Sequence, residues 1–507
     1  MLLAMTSVGM LASVARAANT PNFPASPAAN AGNVTAANNQ AATDQEAFAA
    51  AQFERQLDQY QYANRVLVNN DIPPEQRLLV DYGAYLTFNY LSVDDANAND
   101  HTLRETDAVG YARLNLDNAQ EFFIRGEEQY QDFSVGDSFF SRQTRQHSAI
   151  QELYYRFDLQ RYLSSYKGEV TDSDFSVTAG RQSIIWGNGL AFNQDLDALT
   201  LDGLSGPLTV EAVMGRTVRD TVDFDTSRPG FNSLTERLFF GGLATLTVGR
   251  NKPYFYVVAQ EDDNPDFVST EALAQGGAIK THFDYNSVYV GGGSSGSLGD
   301  KLVYGIEGCF EGGSTLSNSF ELTSSGIEPI TQTHDPIRAG AADARIDYVF
   351  GDPHETRASA EMILASGSHD RGQTNTTFNG EAPHTTDQAF NGFGLLNTGL
   401  AFSPEVSNLI ITRVGVSTKP LFESYAFRQL EVGADFFFFQ KYLEHAPIDE
   451  ESDAGRYLGC EPDIFLNYQI TSDLTLATRY GVFFPGKKIT SSDQDRQLFF
   501  TGVTLAF

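Results

Sequence analysis

The sequence predicts an all-β protein, a transmembrane antiparallel β-barrel of about 18 strands, with 16 as the alternative count. First, segments of about ten residues with period-two alternation recur from Leu78 to the end of the chain. Second, the mean hydropathy is only -0.27 although aromatic residues make up 12%. Strands that alternate apolar lipid-facing and polar lumen-facing residues average to such values. Third, no run of 18 apolar residues follows the N-terminal segment, which excludes helical spans.

The C-terminal stretch ends on an aromatic residue, and one face of it is mostly apolar. That face carries Phe499, Thr501, Val503, Leu505 and Phe507. The stretch resembles the closing strand of bacterial outer-membrane barrels, which serves as an assembly signal. The resemblance implies outer-membrane lipid and the barrel-assembly machinery as partners. The alternative is a soluble sandwich whose final strand ends the chain.

The N-terminal part of the chain contains three different segments. Residues 1–17 form an apolar core that ends in Ala15-Arg16-Ala17, which predicts a secretory signal peptide cleaved after Ala17. Residues 18–77 form an Ala/Asn/Pro-rich linker followed by a short helix over about 44–68. That helix is a periplasmic contact, a plug in the barrel mouth or a merely solvated helix, and the sequence leaves the three open.

Residues 78–507 form the predicted barrel domain. Its clearest strand alternates Val80, Tyr82, Leu86 and Phe88 with polar or small residues, and we expect this apolar row to face lipid. The same alternation predicts that Leu153, Tyr155 and Phe157 also face lipid. Seventeen strand candidates can be counted; because bacterial single-chain barrels have even strand numbers, we expect 18. The candidates begin near residues 80, 108, 122, 153, 175, 208, 238, 254, 283, 302, 342, 356, 409, 428, 457, 474 and 497.

The connections between these strands are of two kinds. Asp117-Asn118 and Ser472-Asp473 are short turns, whereas 312–336, 366–390 and 445–455 are long and polar. Short turns on one rim and long loops on the other are typical of periplasmic and extracellular sides. The sequence therefore predicts a barrel of the bacterial outer membrane.

Charge and cysteine content narrow the possible functions. The formal net charge is -31, which argues against nucleic-acid binding because that needs a basic surface. Acidic groups such as Asp449-Glu450-Glu451 fall in apparent loops, where we expect them to be solvated. The two cysteines, Cys309 and Cys460, are far apart in sequence and are expected to be free thiols.

No residue pattern predicts an enzyme, a cofactor or a metal site. None of the eight histidines lies in a Gly-x-Ser-x-Gly or His-Glu-x-x-His motif. The acidic group Asp195, Asp197 and Asp202 lacks the spacing and central glycine of a calcium loop. We interpret these three as loop acids without a site.

Several motifs resemble, in their order, those of alginate-export outer-membrane channels. These are the Ala-Gly-Arg-Gln strand over 179–182 with its Gly-rich loop, Ala365–Asp370, Phe390–Gly394 and the Phe-Phe-Pro-Gly end over 483–486. The resemblance covers roughly residues 78 to 507. It implies an 18-stranded barrel that passes an anionic polysaccharide through a lumen lined by arginines.

Eight arginines lie on the rows expected to face the lumen, and we interpret them as candidate pore-lining, substrate-binding residues. They are Arg113, Arg125, Arg156, Arg181, Arg345, Arg357, Arg413 and Arg479. Arg181 and Arg479 lie within the motifs of the resemblance and are favoured most. Acids share the same rows, so structural ion-pair ladders that fill the lumen are the alternative.

The sequence therefore favours a passive outer-membrane channel, without enzymatic activity, for a polysaccharide or an acidic sugar polymer. The alternative in the same compartment is a substrate-selective porin for small anions or sugars. A barrel enzyme or an adhesion barrel is a third possibility from another class. Because selectivity follows the charge at the narrowest point of a pore, the arginine rows predict a modest anion preference.

Overall fold

The computed structural model describes residues 78–138, 143–218, 235–269, 279–323, 326–372 and 381–507. The predicted signal peptide, linker and 44–68 helix lie outside the described residues. Both cysteines are free, as predicted.

The described part of the chain contains twenty-two strands and one helix, joined by turns and loops. The strands are β1 (Leu78–Asp94), β2 (Asp100–Leu116), β3 (Gln120–Phe133), β4 (Thr144–Asp158), β5 (Ser173–Ile185), β6 (Asn193–Ser205), β7 (Leu208–Thr217), β8 (Arg237–Leu246), β9 (Asn251–Asp262), β10 (Phe267–Ser269), β11 (Ile279–Thr281), β12 (Asn286–Leu298), β13 (Leu302–Leu316), β14 (Phe320–Thr323), β15 (Gly326–Pro329), β16 (His334–Val349), β17 (Arg357–Ala365), β18 (Leu409–Thr418), β19 (Leu430–Lys441), β20 (Tyr457–Gln469), β21 (Leu474–Pro485) and β22 (Arg496–Ala506). The helix is α1 (Leu159–Lys167), between β4 and β5.

Eighteen of the described strands form one closed antiparallel sheet, which confirms the predicted barrel and strand number. Each strand pairs with its neighbours, and β1 pairs with both β2 and β22, where Leu86 lies opposite Leu505. The amide of Phe507 donates to the carbonyl of Ala84, and the reverse bond is also formed. The short pairs β10–β11 and β14–β15 are separate hairpins. Closure matters because lipid offers no partner to an unpaired backbone group.

The strand that the sequence reading missed is β6. Asp195, Asp197 and Asp202, interpreted from the sequence as loop acids, lie on this strand, so that interpretation is wrong. Three acids within eight residues hid an alternation in which Leu199 and Leu201 face outward while Leu196 is buried inside.

The predicted outward row is confirmed by solvent exposure. Val80, Tyr82, Leu86 and Phe88 are 57%, 78%, 43% and 53% exposed, whereas Thr87 on the opposite parity is buried. Leu153, Leu505 and Phe507 are exposed as well, and Tyr155 and Phe157 are half-buried. An apolar outer face and a polar inner face are the pattern of a barrel in lipid.

The two rims differ as the sequence predicted. At one rim the turns are short, including the Asp117–Asn118 turn, where both residues have positive φ. Helix α1 also lies at this rim, capped by the side chain of Asp158 and by Gly168 in the left-handed region. The long connections gather at the other rim, which the general rule assigns to the cell exterior. Among the described helical residues, none belong to a helix long and apolar enough to span a bilayer.

A charge placed in the middle of the outer face tests the orientation of β1. We expect Leu86→Arg to lower the free energy of unfolding from lipid by about 2–4 kcal/mol, and Tyr130→Arg near the loop rim by about 0–1 kcal/mol. The measurement is urea unfolding of the protein refolded in phosphatidylcholine vesicles. Equal effects of the two substitutions would contradict the assignment of Leu86 to the middle of the lipid-facing surface.

Candidate functional site

Two connections fold into the barrel interior and meet there. We call 186–192, the connection between β5 and β6, the hairpin tip, and 387–408, which leads into β18, the inner segment. The amide of Asn193 donates to the carbonyl of Phe393 at 2.8 Å, and the amide of Phe393 donates to Ala191 at 3.0 Å. The lumen is therefore crossed by two hydrogen-bonded pieces of chain.

The first aromatic cluster fills one side of the lumen, against β8, β9 and β12. It consists of Trp186, Phe192, Phe239, Tyr256, Tyr289, Phe390 and Phe393. The indole N–H of Trp186 donates to Glu211 Oε1 on β7 at 2.6 Å. The rings of Phe239 and Phe393 meet edge to face with centroids 5.2 Å apart, a preferred aromatic geometry. This cluster fixes the hairpin tip and the start of the inner segment.

The second aromatic cluster fills the opposite side, from β17 round to β3. Its largest members are Phe133, Phe402, Phe437, Phe439, Phe483 and Phe500. Phe402 of the inner segment stacks on Phe483 of β21 with centroids 4.2 Å apart. The inner segment is thus packed against two separate walls.

Buried carboxylates bind the backbone of the inner segment. Glu461 of β20 is fully buried, and it accepts hydrogen bonds from the amides of Leu400, Ala401 and Phe402, the last two at 2.7 and 2.9 Å. An ionised acceptor makes such bonds stronger than neutral ones. One wall side chain therefore replaces the strand partner that this irregular backbone lacks.

Glu311 and Glu307 of β13 do the same on the other wall. Glu311 accepts from the amide of Asn391 at 2.9 Å and from the hydroxyl groups of Tyr285 and Tyr289. Glu307 accepts from Tyr256 at 2.6 Å and from the amide of Asn188 in the hairpin tip. Between them, Glu311 and Glu307 hold both inner pieces of chain.

Asp449 and Glu450 are not the solvated loop charges expected from the sequence. Asp449 and Glu450 are each 4% exposed. Asp449 accepts from the amide of Glu405 at 2.7 Å, and Glu450 binds both terminal nitrogens of Arg496 at 2.9 Å. The expectation failed because the β19–β20 loop folds over the barrel mouth, where its acids find partners.

A cavity of about 700 Å³ lies beneath the inner segment, on the side of the short turns. Its roof carries Leu395, Leu396 and Leu400. Four arginines and five acids line its wall, namely Arg345, Arg357, Arg413, Arg479, Asp343, Asp347, Glu361, Glu431 and Asp435. The cavity therefore combines an apolar roof with a wall of mixed charge.

Seven of the eight predicted arginines lie on inward-facing positions of the wall. Arg113, Arg125 and Arg156 lie on β2, β3 and β4, away from the cavity, and the other four line it. Most have structural partners: Arg125 pairs with Glu152, and Arg413 pairs with Glu361 at 2.6 Å. The ion-pair alternative thus describes much of this set.

The remaining cavity arginines differ in what holds them. Arg345 pairs with Asp347 at 2.9 Å. Arg479 donates to the side-chain oxygen of Asn467 at 2.6 Å. Arg357, at the start of β17, is exposed in the lumen, and its guanidinium group makes no hydrogen bond or salt bridge to any described residue. Of the four cavity arginines, Arg357 is therefore the one whose N–H donors are not taken up by a described protein group.

The prediction that Arg181 faces the lumen is wrong. Arg181 shares its parity on β5 with the exposed Phe175, and it lies opposite the exposed Leu153 of β4. Its Nε donates to Asp197 Oδ1 of β6 at 2.9 Å. Arg181 was assigned to an inward row and favoured for its place in a family-like motif, but the parity set by the exposed Phe175 places it on the outer side.

The residues that sequence reasoning missed are the wall carboxylates Glu307, Glu311 and Glu461. From the sequence, Glu307 and Glu461 were noted only as acids among the inward rows, and Glu311 was not noted. Their partners, Asn188, Asn391 and Leu400–Phe402, lie at least 59 residues away in sequence. The alternation of the sequence shows only which face of its strand each acid lies on. It does not show which loop folds back to contact that acid.

A buried group of charged side chains anchors the connection between β17 and β18 near the loop rim. Arg371 binds Asp387 through two nitrogens, at 3.2 and 2.6 Å, and lies 4.0 Å from Glu381. Burial, reinforced by the charge of Asp387, raises the pKa of Glu381 to about 7. This carboxyl group therefore titrates in the physiological range.

Comparison with known proteins adds only distant structural likeness. No family model matches the chain, and no curated protein matches it. Solved structures similar to it include Pseudomonas aeruginosa OpdK with vanillate, at 8% identity and a TM-score of 0.48, over 84% of this chain and 98% of that one. P. aeruginosa OccK5 (OpdH) has 12% identity and a TM-score of 0.48, over 84% and 98%. P. aeruginosa OccK2 (OpdF) in complex with glucuronate has 11% identity and a TM-score of 0.48, over 84% and 98%. Likeness this distant establishes nothing about the solute of this chain.

The architecture itself assigns the compartment. A closed 18-stranded antiparallel barrel with an apolar exterior and a polar interior is the architecture of proteins of the bacterial outer membrane. Within the described ranges, no group of three or more His, Cys, Asp or Glu residues is arranged to hold a metal ion.

Removing the carboxylate of Glu461 should release the inner segment. We expect Glu461→Ala to lower the free energy of unfolding by about 3 kcal/mol, because three buried amides lose their acceptor. The same change should raise single-channel conductance in planar bilayers. The control is Glu128→Ala, since Glu128 bonds only Gln146 and Ser148 on the outer face. An unchanged conductance and stability would refute the anchoring role.

The raised pKa of Glu381 predicts a local pH dependence. Because the folded group holds its proton up to about pH 7, whereas an unfolded glutamate loses it near 4.5, local stability should fall as pH rises between these values. The measurement is hydrogen exchange at the amide of Ala382, which donates to Asp370, corrected for intrinsic rates. Glu381→Gln should remove the dependence; a slope that persists in this variant would exclude Glu381 as its source.

Proposed function

We propose that the protein is a substrate-selective porin for small anions or sugars. The observation that carries this proposal is the inner segment, which crosses the lumen and is bound to both walls by Glu311 and Glu461. The cavity beneath it, of about 700 Å³, is of the size that proteins use for single small molecules. A channel for a long polymer needs instead an uninterrupted bore.

The cavity wall suits solutes that carry both hydroxyl groups and a negative charge. Arginine guanidinium groups bind carboxylates through a planar pair of N–H donors. The carboxylates beside them, such as Asp343 and Asp435, can accept hydrogen bonds from sugar hydroxyl groups. Arg357 supports the preference for anions, because no described residue neutralises it by direct contact.

The alginate-export hypothesis remains without support beyond the sequence motifs. Of the two arginines that it favoured most, only Arg479 lines the cavity. Both hypotheses assume passive passage, and they differ in the size of the solute that passes.

Solute size and charge can be tested together by swelling of proteoliposomes. We expect rapid swelling with glucose and with glucuronate, and none with an oligouronate, which cannot pass the inner segment. Arg357→Ala should slow the glucuronate rate several-fold and leave the glucose rate unchanged, since one charge–charge contact is worth about 1 kcal/mol in a hydrated site. The matched control is Arg338→Ala, on the outward parity of β16.

Two outcomes would count against the proposal. Equal swelling with the oligouronate would restore the polymer hypothesis. A glucuronate rate unchanged in Arg357→Ala would remove this arginine from the solute path.

A further inference from the structure

The ladder between β4 and β5 is shorter than any other between neighbouring strands of the described barrel. It contains six pairs, from Leu153↔Arg181 to Asp158↔Ser176. The next shortest, between β17 and β18, contains eight. Yet β4 continues nine residues beyond Leu153, to Thr144, and β5 continues to Ile185. The two strands therefore separate while both are still extended.

The separation has a structural cause. Beyond Arg181, β5 stays paired with β6 up to Ile185↔Asn193, but the tip of this hairpin lies in the lumen. There Asn188 donates from its side chain to Asp343 of β16 at 2.7 Å. Because the tip is held across the interior, the end of β5 cannot follow β4 along the wall.

The side chain of Arg181 bridges the separated strands. Arg181 Nη1 donates to the backbone carbonyl of Ile150 at 2.8 Å, while its Nε binds Asp197. A side chain that reaches a backbone carbonyl occupies the place of a strand-to-strand hydrogen bond. We call the region between 144–149 of β4 and 182–185 of β5, on the loop-rim side of this contact, the seam.

The seam lies at the upper boundary of the apolar belt. Ile150 and Leu153 of β4 are exposed and apolar, whereas the next outward residue, Ser148, bonds Glu128. Apolar residues that give way to hydrogen-bonded polar ones mark the level where acyl chains meet headgroups. A break in the ladder is tolerated there because water and headgroups can satisfy the backbone.

On the inside, the end of β5 borders the solute cavity. Ile185 and Asn193 line that cavity together with the leucine roof and the arginine wall. We propose that the seam is a lateral opening that lets a single-chain amphiphile with a carboxylate headgroup move between the outer leaflet and the cavity. The apolar roof would accept its chain, and the arginines its headgroup. This route is separate from the axial passage of small solutes.

The one tryptophan of the chain makes this testable. Trp186 is 1% exposed and belongs to the hairpin tip, so a bromine atom inside the lumen can approach it on a side that is shielded from the bilayer by the wall. We expect dibrominated stearate in phosphatidylcholine vesicles to quench Trp186 more strongly than brominated phosphatidylcholine, which is too large to enter. Equal quenching by the two probes would overturn the proposal.

Closing the seam is the decisive variant. Ile150→Cys with Ser183→Cys, in a background in which Cys309 and Cys460 are alanine, can be joined by a bis-maleimide. We expect the joined protein to lose the extra quenching by dibrominated stearate, while its glucose swelling stays unchanged. Retention of that quenching after joining would refute the lateral route.

A second variant tests the bridge without a linker. Arg181→Ala removes the contact with Ile150 and should speed quenching by dibrominated stearate, whereas Arg181→Lys should change it less. Arg338→Ala, on the outward face far round the barrel, is the matched control. A rate in Arg181→Ala equal to that of the unmodified protein would also refute the opening. Both results can be told apart from a failed porin function, because swelling is measured in the same vesicles.

Discussion

The structure depends on the need of every buried backbone amide and carbonyl for a partner. In the wall, strand pairing meets that need, and the pairing of β1 with β22 leaves no edge. In the lumen the inner segment has almost no strand partner, so wall side chains meet the need instead. Glu461 and Glu311 act there as substitutes for a neighbouring strand. One requirement thus explains both the regular wall and the irregular interior.

That requirement also changes how the inward charges are understood. Acids outnumber arginines among the buried inward residues, and the best-buried acids bind backbone rather than solute. Arginines divide similarly: Arg496 and Arg237 are buried in structural contacts with Glu450 and Asp262. Only a subset, near Arg357, is left to meet a solute. The lumen is therefore a packed interior with a passage in it, and its net charge says little about selectivity.

The wall could be predicted from the sequence because parity is a local property. Val80 to Phe88 and Phe499 to Phe507 were assigned the correct face by counting in twos. The same counting fails where polar residues interrupt the apolar row, which is why β6 was missed. The site could not be predicted to the same degree. Whether Glu461 meets Ala401 depends on a loop that returns into the barrel, and no local pattern reports that return.

The closing pair of strands has a consequence for the way the barrel forms. Thr87 and Thr504 touch through their hydroxyl groups at 3.1 Å, although 417 positions separate them in the chain. Most other wall contacts are between strands that follow one another in the chain. Such hairpins can form early, because closing a short loop costs little conformational entropy. The final contact instead closes a loop of nearly the whole domain, and contacts of such separation form slowly. Until then β1 and β22 each expose an edge that any extended chain could join. The barrel therefore forms by way of an open sheet with two unpaired edges. That stage lasts until its two most distant strands, β1 and β22, pair.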